Sequence, residues 1–145
     1  VTEQVFDAAG LTPAKWIVAF EPKTSIWWGR FLTPGFGHCF TFGFVPAADG
    51  PGVWLYAEAL VTGVHIGVAP HEAVLRWFAE AKIGRLRLLE IKPQANVVVR
   101  PRWAVTCAGC IGAILGLRRL PLTPHKLFWM LRRLGAREIG RNTDA

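Results

Sequence analysis

A chain of 145 residues is long enough to bury a core of its own without disulfide or metal staples, and a single domain is the expected organisation. Three cysteines are too few and too irregularly spaced for a disulfide framework, which points to a reducing compartment, and the longest apolar stretch, Trp103 to Leu117, falls short of the roughly 20 residues a membrane span needs. The net charge of +7 is concentrated in the C-terminal third, but no helix-turn-helix pattern or aromatic-basic RNA motif accompanies it, so nucleic acid is not an expected partner.

The first residues, Val1 to Gly10, show no charged start followed by an apolar run, and no secretory signal is expected; synthesis in the cytoplasm follows. Lys15 to Glu21 is a short apolar run between Pro13 and Pro22 and reads as a buried strand. Ile26 to Phe36 mixes aromatic residues with Gly29, Pro34 and Gly35, the composition of an irregular loop anchored by its rings. His38 to Val45 alternates, with His38, Phe40, Phe42 and Phe44 on one face and Cys39, Thr41 and Gly43 on the other. A turn at Asp49 to Gly52 predicts a return strand from Val53 to Leu60, and Thr62-Gly63 a third from Val64 to Ala69, completing an antiparallel meander.

Pro70-His71-Glu72 opens a predicted helix that ends near Gly84, with Val74, Leu75, Phe78 and Ala79 facing inward. A strand from Arg85 to Ile91 and an extended piece at Val97 to Val99 follow. Thr106 is placed to cap a helix beginning at Cys107, within a buried apolar run that ends at Leu117. The last helix is bounded by Thr123 as cap, Pro124 in the first turn, Arg132 and Arg133 in the last turn and Gly135 as the stop. Ile139 to Ala145 reads as a loose tail. An antiparallel sheet packed against helices, an α+β class, is the architecture these elements predict.

A cysteine in a first helical turn lies near the positive end of the helix dipole and its free N–H groups, which favour thiolate over thiol. Cys107 holds that position, and a histidine within reach would make it a nucleophile. His38 supplies such a ring, and Glu58, a carboxylate in the otherwise apolar segment Leu55 to Leu60, falls on the strand that the hairpin sets beside it. If the register brings Glu58 to the face of His38, it would orient the ring and stabilise its charged form. The same residues also have a plain reading: buried cysteines commonly act as small hydrophobes, and Glu58 has Arg100 and Arg102 as other possible partners.

Cys107-Ala108-Gly109-Cys110 is also a CxxC. Zinc would need two further ligands, and His38 and Cys39 project to opposite strand faces, so no metal or other cofactor is expected. Thioredoxin-type redox chemistry expects a βαβ start that this chain lacks. Cys39 and Cys110 are read as packing residues, and His65, His71 and His125 as structural.

The ordered landmarks Trp27-Trp28, Phe31 through Phe40 with Gly37-His38-Cys39, Tyr56 through Leu60, Thr106-Cys107, Leu115-Gly116-Leu117 and Leu122-Thr123-Pro124 resemble circularly permuted NlpC/P60 (papain-like) cysteine hydrolases of the small alphaproteobacterial and phage type. The resemblance spans most of the chain. It implies a papain-like fold in which Cys107 is the nucleophile, His38 the base and Glu58 the residue that orients it. Amide or peptide bonds, peptidoglycan peptides among them, are the implied substrates. Phage-encoded members imply other tail or virion proteins as partners, with a catalytically silent tail or connector component as the competing role. The chain departs from the family pattern at Gly37, where a basic residue is frequent, and at Ala57-Glu58-Ala59, where an acid followed by proline is expected.

Overall fold

The structure is a computed structural model and describes residues 13–23, 30–60, 62–92 and 106–140. The segment Trp-Ile-Val-Ala-Phe does not alternate because it lies in the middle of a sheet that is covered on both faces; it forms β1 (Trp16–Glu21). The aromatic alternation that follows forms β2 (His38–Ala47), and the meander continues through β3 (Gly50–Leu60) and β4 (Gly63–Ala69). After α1 (His71–Lys82) the chain returns as β5 (Arg87–Ile91), runs through α2 (Cys107–Ile114) and α3 (Pro124–Arg133), and ends as β6 (Arg137–Ile139). The six strands lie in the order β4-β3-β2-β1-β5-β6, and every neighbouring pair is antiparallel.

Helices cover both faces of this sheet. On one, Val18, Phe20, Cys39 and Leu89 pack with Ala108 and Ile111 of α2 and Leu127, Phe128 and Leu131 of α3. On the other, Ile17, Ala19, Phe40, Phe42 and Leu88 meet Val74, Trp77, Phe78 and Ala81 of α1. Wholly buried side chains such as Phe20, Phe128 and Leu131 each contribute about 1.5–3 kcal/mol of transfer free energy, and this face fixes the position of α2 on the sheet.

Four expectations are corrected. The hairpin turn is Ala48-Asp49, and Gly50 to Gly52 already belong to β3; Ala47 pairs with Gly50, and the register shift between Val45 and Ala47 bends the strand. Gly52 has φ +71°, and a Cβ there would stand 2.6 Å from the Val45 carbonyl oxygen, so only glycine suits the bend. The buried stripe of α1 runs through Val74, Trp77, Phe78 and Ala81, whereas Leu75 is 56% exposed and Ala79 is exposed. Apolar residues occupy most of that helix's circumference, and only the aromatic surface of β2 and β3 selects which of them turn inward. The helix of Cys107 stops at Ile114 rather than Leu117, because Gly116 takes φ +72°. Arg137–Ile139, expected to run into a loose tail, pairs with β5 and is tied down by the Arg87–Glu138 ion pair at 2.9 Å. Val97 to Val99, Trp27, Trp28, Arg100 and Arg102 lie outside the described residues.

Candidate active site

The start of α2 is built by its cap. Thr106 is extended, its Oγ1 accepts from Gly109 N at 3.0 Å and its carbonyl accepts from Cys110 N at 2.9 Å. Cys107 therefore occupies the first helical position, where it and Ala108 carry N–H groups with no acceptor inside the helix. Cys107 itself is half-buried and packs against the cluster that contains Cys39.

The start of β2 is held from the other side. Thr33 to Phe36 makes a turn, closed by Phe36 N to Thr33 O at 3.0 Å, and the Phe36 ring meets Phe20 and Phe128 edge-on at 5.9 and 5.2 Å. Gly37 donates its N–H to the Glu21 carbonyl at 2.7 Å, and a Cβ at this position would stand 2.6 Å from the Lys23 carbonyl oxygen. That close approach is the physical reason for glycine at this position. His38 follows, paired with Glu21 of β1.

Phe40 pairs with Glu58, so Glu58 shares the face of Phe40 and of His38 two residues earlier. The carboxylate reaches diagonally, and His38 Nε2 lies 2.8 Å from Glu58 Oε1. Tyr56, two residues before Glu58, donates its hydroxyl to Glu58 Oε2. With Nε2 engaged, Nδ1 is the ring nitrogen left for Cys107, which lies near enough for each group to shift the proton affinity of the other. Cys39 is the other neighbour that acts on the same sulfur, from within the cluster against which Cys107 packs. Alternation sends Cys39 to the face that α2 and α3 cover; His38, as the first residue of β2, stands at the end of the strand, beside the start of α2.

These contacts move the protons in one direction. The hydrogen bond from Cys39, together with that from His38 and the His38 charge, outweighs burial and lowers Cys107 from the ordinary thiol value of 9.0 to about 5. Burial alone would lower His38, but its hydrogen bonds to Cys107 and Glu58 and their charges raise it from 6.5 to about 9. Between those limits the pair is a thiolate and an imidazolium. Burial, then the bond to Glu58, holds the Tyr56 hydroxyl protonated and able to donate. Burial raises Glu21, opposed by His38 and supported by the nearby Glu58.

Cys107, His38 and Glu58 are thus brought together. Glu21, Tyr56 and Cys39 also belong to the cluster and were not among the expected site residues; their proximity arises from strand register and helix placement, and an i, i+2 carboxylate and tyrosine on one strand was the single signal available for Tyr56. Cys110 is buried one turn beyond Cys107 and is felt through charge, which with burial raises its thiol pKa. His65 lies exposed on β4 near Thr62 Oγ1 at 3.3 Å, and His125 Nε2 accepts from Trp129 Nε1 at 2.9 Å on α3, so neither reaches the cysteine by these contacts. A depression of about 420 Å³ lined by Lys15, Glu90, Lys92, Leu134 and Arg137 sits at the opposite end of β1 from His38; there Lys15 and Arg137 both pair with Glu90 Oε1 at 3.1 Å.

Among the described residues, no group of three or more His, Cys, Asp or Glu side chains is placed to hold a metal ion, and no helix is long and apolar enough to cross a membrane. Compared with family models, characterised proteins and solved structures, the chain matches none.

Proposed function

We propose that this protein is a cysteine hydrolase of amide or peptide bonds, with the papain-like, permuted NlpC/P60 arrangement that its sequence resembles. The observation that carries the reading is the meeting of Cys107 with His38, and of His38 with Glu58, from three separate segments at a capped helix start. The Cys107 thiolate attacks the carbonyl carbon, and the oxygen gathers negative charge beside the Cys107 and Ala108 N–H groups. The His38 imidazolium gives its proton to the departing amine, which leaves an acyl thioester on Cys107. Neutral His38 then takes a proton from water, the hydroxide attacks the thioester, and the thiolate is released. Glu58 holds the ring by Nε2 throughout and supports its charged form. Peptidoglycan peptides as the substrate, and a place in a phage particle with tail or virion proteins as partners, rest on the sequence resemblance.

The test is turnover of peptide amides and peptidoglycan stem-peptide fragments, with the acyl thioester trapped on Cys107 and weighed. Product released equally well by Cys107→Ala would overturn the reading.

A second reading has its own support. On β4, Val64, Ile66 and Val68 are 50%, 72% and 64% exposed, on the outermost strand of the sheet and with no lysine, arginine or carboxylate from Gly63 to Ala69. Such an edge suits assembly with other chains. A tail or connector component would assemble unchanged as Cys107→Ala, and loss of assembly in that variant would remove this reading.

A further inference from the structure

We propose that Cys39 is a resolving thiol for Cys107, so that oxidation by a hydroperoxide converts the pair into a reversible intramolecular disulfide instead of destroying the nucleophile. The inference deepens the hydrolase reading by adding regulation of the same cysteine. It needs the thiolate of Cys107 and its neighbour, but no hydrolysis.

The geometry is the argument. Two thiols from distant segments share one packed cluster: Cys39, in β2, lies within it and Cys107, at the start of α2, packs against it, and each shifts the proton affinity of the other. Cys39 is 0% exposed, whereas Cys107 is half-buried, so an oxidant meets Cys107 first and Cys39 is reached only through it. Cys110 is the other available thiol, but it is buried one turn along the helix and is not part of the cluster that joins Cys39 and Cys107. The pairing that the CxxC spacing suggests is therefore not the one that the fold prepares.

The chemistry balances. The Cys107 thiolate attacks one oxygen of the hydroperoxide, the O–O bond breaks, and sulfur loses two electrons as Cys107–SOH forms; the alkoxide or hydroxide released takes the His38 proton. Burial, and then the hydrogen bond to Cys107 and its charge, keeps Cys39 protonated in the resting site. Oxidation to the neutral sulfenic acid removes that charge. Cys39 then attacks the Cys107 sulfur, its S–H bond and the S–O bond break, the S–S bond forms, and water leaves with its proton relayed by His38. Two equivalents of a thiol reductant restore both cysteines.

The experiment is peroxide treatment of the purified protein followed by non-reducing peptide mapping and labelling with a small electrophile. The expected result is a Cys39–Cys107 linkage, loss of labelling at Cys107, and its return after a thiol reductant. Cys110→Ala keeps this behaviour; Cys39→Ala loses the linkage, and its Cys107 is driven to the sulfinic acid, with labelling that no longer returns. A Cys107–Cys110 or intermolecular linkage in the wild-type protein, or sulfinic acid formed as fast there as in Cys39→Ala, would overturn the proposal. The mapping needs no turnover. A linkage in a protein that cleaves nothing sinks the hydrolase reading alone, and turnover without the linkage sinks this one alone.

Discussion

Two helices of this chain begin in the same way and end up with different chemistry. Thr106 caps α2 and Thr123 caps α3; each is extended, and each side chain accepts from the third helical amide, at 3.0 Å from Gly109 and 3.3 Å from Lys126. In α3 the first turn holds Pro124 and His125, whose ring engages Trp129 of its own helix. In α2 the first turn holds Cys107, set against His38 and Cys39 of β2, and its thiol is lowered to about 5. The cap is a local device, and both helices have it. What differs is what the sheet places opposite the cap.

The largest expected effect removes what α2 has and α3 lacks. Cys107→Ala is expected to lower amide turnover by about four orders of magnitude or more, measured as initial rates, since loss of a nucleophile is rarely compensated. Next comes His38→Ala, which deprives Cys107 of one of its partners while leaving the cap intact. At pH 6 its labelling by a small electrophile is expected to slow by at least about tenfold as the thiol climbs toward its ordinary range of about 8.5. An unchanged rate would show that the helix start and Cys39 suffice without the histidine.

Glu58→Gln tests the support behind the ring. Turnover needs thiolate, so it should rise as pH climbs through about 5, and it needs imidazolium, so it should fall as pH climbs through about 9. Removing the carboxylate charge weakens a charge-assisted hydrogen bond worth about 1.5–3 kcal/mol, so the upper limb is expected to move down by about one to two pH units while the lower limb moves little. The smallest effects compare the caps themselves. Thr106→Ala and Thr123→Ala are each expected to cost about 1 kcal/mol in thermal or denaturant unfolding, but only the first should slow labelling of Cys107. Equal slowing by both would mean that the cysteine responds to global stability rather than to its own helix start.

What could be read in the sequence divides along the same line. Caps, strand alternation and the glycine stops depend on neighbouring residues, and Thr106, Thr123, Gly135 and the run His38 to Val45 took the structures their sequence suggests. The same locality made the helix of Cys107 and the sheet position of His38 legible. Glu58 was legible in part, since a carboxylate in an apolar strand wants a partner, but its place beside His38 depends on a register that the misplaced hairpin turn did not specify. Cys39 is the packing residue its sequence suggests, wholly buried in the core on the α2 face; its nearness to Cys107 comes from where the helix start sits on the sheet, which no local pattern announces. Glu21 enters the cluster through β1 register alone, and β6 is too short to announce itself, being held by β5 and by ion pairs rather than by any pattern of its own.

The central claim is that the sheet turns an ordinary capped cysteine into a thiolate, and the rate of electrophile labelling at each cysteine as a function of pH tests it most directly. The expected result is selective labelling of Cys107 with a midpoint near 5, while Cys39 and Cys110 stay unlabelled until far higher pH. A midpoint for Cys107 near the ordinary thiol value, or equal labelling of all three cysteines, would contradict the account.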